Sequence, residues 1–249
     1  LSFFVLDIEQ PGVSVSPLRQ MNGHASFNQV FFTNAEIAPE FIVGETGEGW
    51  KIATTTLMHE RRGADGLRRA AMASKRPERC YAEEAEEIAH QLEPYKWYPQ
   101  RMGRVDLVLQ RARETGKFDD PAVRQEIARL LTLAKTAEWT ALRSRAAQAQ
   151  GRPQGPEGSL GKLAASVVAR KANQVHTMIS GADAMLTGED SPMGGVIAEI
   201  LVSTPAISIA GGTNEIQRNI ISERILKLPK EPRTDADRPF REVPRNVVT

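Results

Sequence analysis

Cysteine is almost missing from this sequence: Cys80 stands alone among 249 residues. A lone thiol excludes an internal disulfide and any cysteine-built zinc cluster. An excess of one charge is missing as well. Lys and Arg number 32 against 31 Asp and Glu, a net charge of +1, so neither a nucleic-acid footprint nor a cationic membrane patch is encoded. Long apolar runs are lacking too. Glu199 and Pro205 interrupt the longest candidate, and a bilayer-crossing helix needs about 18 apolar residues in succession. What is present is 41% hydrophobic and 25% charged residues, the composition of a packed globular chain rather than a disordered one. The length suits one large domain, or a medium domain plus part of another.

The chain opens on Leu1-Ser2-Phe3-Phe4-Val5-Leu6, a strand-like run. It has no charged n-region and no small-residue cleavage site, so it does not read as a signal peptide. A chain opening in mid-strand is expected to be a fragment whose upstream part lies elsewhere, because an unpaired half-sheet leaves strand edges open.

Two textures meet near residue 45. Before it, Leu1 to Ile8, Val13 to Ser16 and Phe27 to Thr33 read as strands, with Pro11-Gly12 as a turn. Ala38-Pro39-Glu40 leads out to Gly44, Gly47 and Gly49, which read as a linker. After it the pattern is helical: Trp50 to Met72, Glu78 to Leu92, Arg104 to Glu114, Pro121 to Gly151, Leu160 to Ile179, Val196 to Ile200 and Asn214 to Leu226. Asp120 is the expected N-cap of the fourth, with proline at its first position. That helix carries Ile127, Leu130, Ala134, Ala137 and Ala141 on one stripe. The expected fold class is mainly α: a four-helix-type bundle preceded by the remnant of an antiparallel β-domain. Residues 1–45 are expected to end the β-domain, 46–232 to form the bundle and 233–249 an extended tail.

Several familiar signatures fail. His59-Glu60-Arg61-Arg62-Gly63 begins like a zincin helix but has glycine where the second histidine belongs. His24, His59, His90 and His176 are scattered, so no metal site is expected. Gly155 to Leu163 misses the P-loop spacing by one residue and has leucine where a magnesium-binding hydroxyl is needed. No G-x-G-x-x-G run follows a strand, so no dinucleotide fingerprint is present.

Two features remain. On the helix from Trp50, the residues Trp50, Ala53, Leu57, Ala64, Leu67 and Ala71 keep a three-four rhythm only if Glu60 joins the stripe. A carboxylate on an apolar face loses hydration, which disposes it to take a proton from a weak carbon acid. Arg61 follows, about 100° around the helix, placed to pair with an acid or to orient a substrate. The periodicity leaves two readings of Glu60: a catalytic base, or an acid at the bundle's edge paired with an arginine. The second feature is Gly211-Gly212-Thr213 before a helix. Paired glycines let a bulky planar or phosphorylated ligand approach the backbone, and Thr213 is a good N-cap. A tight turn with a cap satisfies the same residues.

The run Gly211-Gly212-Thr213-Asn214-Glu215-Ile216-Gln217-Arg218-Asn219-Ile220-Ile221, with Glu223-Arg224 and Leu228-Pro229 beyond, resembles the C-terminal signature of the acyl-CoA dehydrogenase family. Ile37-Ala38-Pro39-Glu40 and Gly44-Glu45 to Trp50-Lys51 resemble that family's crossing from middle β-domain to C-terminal bundle. The match is collinear over residues 1 to 230. The resemblance implies FAD, an acyl-CoA thioester substrate, and oxidation to a 2,3-enoyl-CoA. A glutamate takes the α-proton, the hydride passes to the flavin, and electrons leave to an electron-transfer flavoprotein. It also implies a homo- or hetero-oligomer, dimer or tetramer, and a cytoplasmic location, or the mitochondrial matrix in a eukaryote.

Many members place the base just before the Gly-Thr of this motif, where this sequence has Gly211. Isovaleryl- and long-chain-type members place it instead on the bundle's opening helix before an arginine, which matches Glu60 and Arg61. The resemblance therefore implies Glu60 as catalytic base and Arg61 as substrate-binding. Gly211, Gly212, Thr213 and Glu215 are implied as cofactor-binding. The family's second FAD contact, a Gln and a Gly-Gly pair, falls on Thr177, Ser180 and Gly181, a departure. Its Arg-x-x-Phe-Gly element has no clean match. The stretch Arg76 to Gly116, with Tyr95, Trp97 and Tyr98, reads as longer than usual: a reshaped acyl pocket or a surface insertion. The chain alone is not expected to complete an active site. Two further readings stay open: a non-catalytic helical subunit that pairs with a complete partner, and a relative that uses flavin on another substrate such as a nitroalkane.

Overall fold

The structure, a computed structural model, describes residues 1–60, 79–93, 97–152, 155–156, 158–232, 238 and 242–243. It divides into two compact units, Leu1–Pro99 and Gln100–Thr249.

The first unit holds two small antiparallel pairings. Strand β1 (Phe3–Phe4) pairs with β4 (Ile42–Val43), Phe3 opposite Val43. Strands β2 (Val13–Leu18) and β3 (Phe27–Phe32) form a ribbon with Val13 opposite Phe32. β1 is shorter than the Leu1–Ile8 run suggests. Asp7 ends the extended stretch: its Oδ1 accepts the Glu9 N–H at 2.9 Å, and its carbonyl accepts the Gln10 side-chain amide at 2.7 Å. Such a local turn competes with strand pairing. The segment read as a linker is tied back instead. Ile42 and Val43 pair with β1, and the Gly49 N–H donates to Leu1 O at 2.9 Å. Helix α1 then covers 49–60, and α2 is Arg79–Leu92. The other half of the expected Trp50–Met72 helix lies outside the described residues. Trp97 is buried; its indole N–H donates to Ser26 Oγ at 2.7 Å, and Tyr98 meets it edge-on at 4.7 Å.

The one-turn helix α3 (Tyr98–Arg101) carries the chain into the second unit, where α4 is Val105–Glu114. The long helix α5 (Pro121–Ala149) starts as its sequence dictates. Asp120 Oδ1 accepts the N–H of Ala122 at 2.9 Å and of Val123 at 3.4 Å, with Pro121 next. A cap of this kind contributes about 1 kcal/mol. Helix α6 is Gly158–Ser180. Glu126 near the start of α5 pairs with Lys171 in the second half of α6, so the two helices run antiparallel. Their core joins Val123, Ile127 and Leu130 of α5 to Ala172, Val175 and Ile179 of α6, with Val108 and Ala112 of α4 closing the layer. Of the expected α5 stripe, Ile127 and Leu130 are buried, Ala134 and Ala137 half-buried, and Ala141 exposed. A second cluster joins Ile197 and Ile200 of α7 (Val196–Ser203) to Ala184. Helix α8 (Asn214–Ile220) runs into a π-helical turn, Ile221–Ile225, closed by the Leu226 N–H on Ile221 O at 3.0 Å. The architecture is mainly helical with short antiparallel strands, as the sequence indicates. Among the described residues no helix is long and apolar enough to cross a membrane.

His176 on α6 is fully buried. Its Nε2 lies 3.1 Å from Gly103 O and 3.2 Å from Arg104 O. Carbonyl oxygens only accept, so Nε2 carries the proton, and buried Nδ1 has no partner among the described residues. The contact needs a close backbone approach. Gly103 has φ +83, and a Cβ there would sit 2.7 Å from Ala172 Cβ and 2.9 Å from Ala169 O. Burial pushes the His176 pKa below the ordinary histidine value, outweighing the two carbonyls and the nearby Asp106 carboxylate. The folded state therefore binds fewer protons here than the unfolded chain. This contribution to stability is whole above the free histidine pKa of about 6.5 and is lost as pH falls below it. Urea midpoints measured between pH 8 and 5 are expected to fall below about pH 6.5, and His176→Gln is expected to flatten that slope. An unchanged slope in the variant contradicts this role.

Candidate functional site

The glycine motif lies in the second unit. A 3-10 turn, Thr204–Ser208, runs into Gly211 and Gly212, whose φ values of +69 and +93 turn the chain into α8. Thr213 caps α8 as its residue type dictates, its Oγ1 accepting the Ile216 N–H at 3.3 Å. Glu215 stands in the first turn. Its own backbone N–H, then the Thr213 hydroxyl, and more weakly Arg218 hold its carboxyl below the usual carboxylate range. Gly211 and Glu215 are exposed, and Gly212 and Thr213 half-buried. A Cβ added at Gly211 would meet nothing within 4 Å, and Ile209 and Ile216 beside it are exposed. The loop thus offers open backbone with an apolar flank on either side and a carboxylate close by.

Behind the loop stands a polar cluster. Ser166 of α6 is fully buried, with its Oγ 2.8 Å from Ser208 Oγ and 3.0 Å from the donating Nδ2 of Asn214. One turn earlier, Lys162 Nζ donates to Ile207 O at 2.7 Å, and burial lowers the pKa of this ammonium. Gln217 is buried, its Nε2 donating to Gly211 O at 3.2 Å and Gly212 O at 3.4 Å. Neither Lys162 nor Ser166 stands out in the sequence as part of this cluster, because a polar residue among the alanines of α6 breaks no period. Asn214 and Gln217 stand inside the quoted motif, and their burial on one face of α8 is what sets them apart.

Glu60 belongs to the first unit. It is exposed, at the end of the described part of α1. The apolar positions before it are also uncovered: Trp50 is 71% exposed and Leu57 48%, while Ala53 is half-buried. Arg61 lies outside the described residues. Gly211, Gly212 and Thr213 therefore stand on one loop of the second unit with Glu215 in the helix turn that follows, and Glu60 is placed on α1 of the first unit. At the departure from the second FAD contact, Thr177 is exposed with its hydroxyl on Asn173 O at 3.0 Å. Ser180 Oγ is buried without a hydrogen-bond partner among the described residues, and Gly181 has φ +58.

Comparison with known proteins bears on this arrangement. Residues 101–226 match the family model described as acyl-CoA dehydrogenase, C-terminal domain. The chain is 30% identical over 239 residues to acyl-CoA dehydrogenase IpdE1 of Mycobacterium tuberculosis, covering 93% of this chain and 51% of that protein. A solved structure described as the Tcur3481-Tcur3483 steroid ACAD superposes with a TM-score of 0.66 at 22% identity, covering 92% of this chain and 52% of that one. The ChsE4-ChsE5 complex from Mycobacterium tuberculosis gives a TM-score of 0.64 at 22% identity, covering 93% and 53%. The chain spans about half the length of each of these proteins.

Proposed function

Because the chain belongs to the acyl-CoA dehydrogenase family, we propose that it serves the FAD-dependent α,β-dehydrogenation of an acyl-CoA thioester to a 2,3-enoyl-CoA, with Glu60 as the α-proton acceptor. The observation that carries this reading is the place of Glu60: a carboxylate at the end of an apolar helix face that lies open. In this reading a ligand or partner covers that face. Covering it strips water from the carboxylate, which favours transfer of a proton to it from a weak carbon acid. Arg61, next in sequence, binds or orients the substrate in this reading.

The glycine loop fits a flavin. Open backbone at Gly211 admits a flat ring, and exposed Ile209 and Ile216 supply apolar edges. The Thr213 hydroxyl and Glu215 carboxylate supply polar contacts. When bound, FAD supplies the acceptor for the β-hydride. The chain's own part is to hold that ligand at Gly211, Gly212, Thr213 and Glu215 and to take the α-proton at the Glu60 carboxylate. An electron-transfer flavoprotein is the proposed partner for reoxidation. A homo- or hetero-oligomer is the proposed assembly, in a cytoplasmic or mitochondrial-matrix setting.

Gly211 favours a second reading, a subunit without its own base that pairs with a complete partner; the relative solved as the ChsE4-ChsE5 complex lends it support. One assay separates the two. The intact protein that carries this chain, with FAD and an artificial electron acceptor, is offered straight-chain, branched and steroid-bearing acyl-CoA thioesters. Release of a 2,3-enoyl-CoA from at least one is expected. Bound FAD with no product from any of them favours the non-catalytic subunit.

A further inference from the structure

We infer that Ser166 and Gln217 are positioning residues that hold the loop 208–214 in the one shape it presents to its ligand, an inference that rests on the flavin reading above. The loop is gripped at three points. Ser166 Oγ bonds Ser208 on the loop's entry and Asn214 on its exit, so a single buried hydroxyl of α6 fastens both flanks. Gln217 Nε2 takes the crown through the carbonyls of Gly211 and Gly212.

The grip at the crown has a geometric consequence. Among the described residues no peptide is cis, and a trans peptide sets its N–H opposite its C=O. With the carbonyls of Gly211 and Gly212 drawn to Gln217, the N–H groups of Gly212 and Thr213 turn to the opposite side. No acceptor among the described residues takes either one. Two adjacent backbone donors are thereby held ready for an acceptor atom of the ligand. Fixing such donors before binding removes a cost that a mobile loop meets on binding. The same grip accounts for glycine at 212, where an added Cβ would sit 2.7 Å from Gln217 Nε2 and push the clamp off.

The test uses the full chain in three forms: wild type, Ser166→Ala and Gln217→Met. Both substitutions keep most of the side-chain volume and delete the polar grip. Amide hydrogen exchange in the peptide covering 208–214 is followed by mass spectrometry, and FAD affinity by fluorescence quenching. Each variant is expected to speed exchange in that peptide by roughly tenfold and to weaken FAD by a similar factor. The midpoint of global unfolding is expected to shift much less than in a core variant. A purely structural role lowers the unfolding midpoint and leaves FAD affinity of the folded protein unchanged, which overturns the inference. Unchanged exchange in both variants overturns it as well. Should Ser166→Ala fail to fold, Gln217→Glu removes the amide donor with almost no change of shape and gives the same two readouts. Wild-type protein that binds no FAD defeats the flavin reading by itself, and the exchange data still decide whether the loop is clamped.

Discussion

In the intact protein, replacing Glu60 with glutamine is expected to lower turnover by about a thousandfold or more, while FAD stays bound. Glutamine keeps the shape and polarity of the side chain and removes its ability to accept a proton, so the loss falls on chemistry rather than on folding. Two features make this a sharp expectation. Glu60 is exposed, so the variant is expected to unfold at the wild-type midpoint. The position that the family resemblance implies as base in many members falls here on Gly211, which has no side chain to take over. Steady-state rates with the best thioester of the panel, beside the flavin absorbance of both proteins, provide the check. Turnover within a few-fold of wild type assigns the proton to another group.

Leu130→Ala destabilises the second unit by about 3 kcal/mol. Leu130 has no solvent exposure and stands among Val123, Ile127, Ala172 and Val175. Truncation removes buried methyl groups and leaves a void that packed helices α5 and α6 close only in part. For a chain of this size that corresponds to a fall in Tm of roughly 6–12 °C. Leu142 lies on the same helix but is exposed, and Leu142→Ala is expected to change stability by less than about 1 kcal/mol. Urea unfolding of the two variants side by side distinguishes them. Equal midpoints contradict the placement of the core.

Much of the helical unit is legible in the sequence because its helices are marked at their ends. Asp120-Pro121 and Thr213 each announce a helix start, and both side chains cap as their chemistry dictates. The strands are less legible. Leu1 to Ile8 is largely apolar, and nothing in composition says that only Phe3 and Phe4 join a strand pairing. That partner, Ile42–Val43, is a two-residue strand too short to show a period. The loop's outward-facing residues are readable from the motif. Its inner fastening is not, because Ser166 acquires a meaning only when α6 is laid against Ser208 and Asn214. Glu60 is the reverse case: periodicity singles it out on an apolar stripe expected to strip its hydration, whereas Glu60, Trp50 and Leu57 are all exposed in the structure.

The most direct test of Glu60 as the α-proton acceptor separates proton removal from oxidation. The FAD-loaded protein is incubated in deuterated water with an acyl-CoA analogue that cannot lose a β-hydride, and deuterium entering the α-carbon is measured by mass spectrometry. Wild type is expected to exchange the α-proton and Glu60→Gln is not. Equal exchange by both proteins contradicts the account.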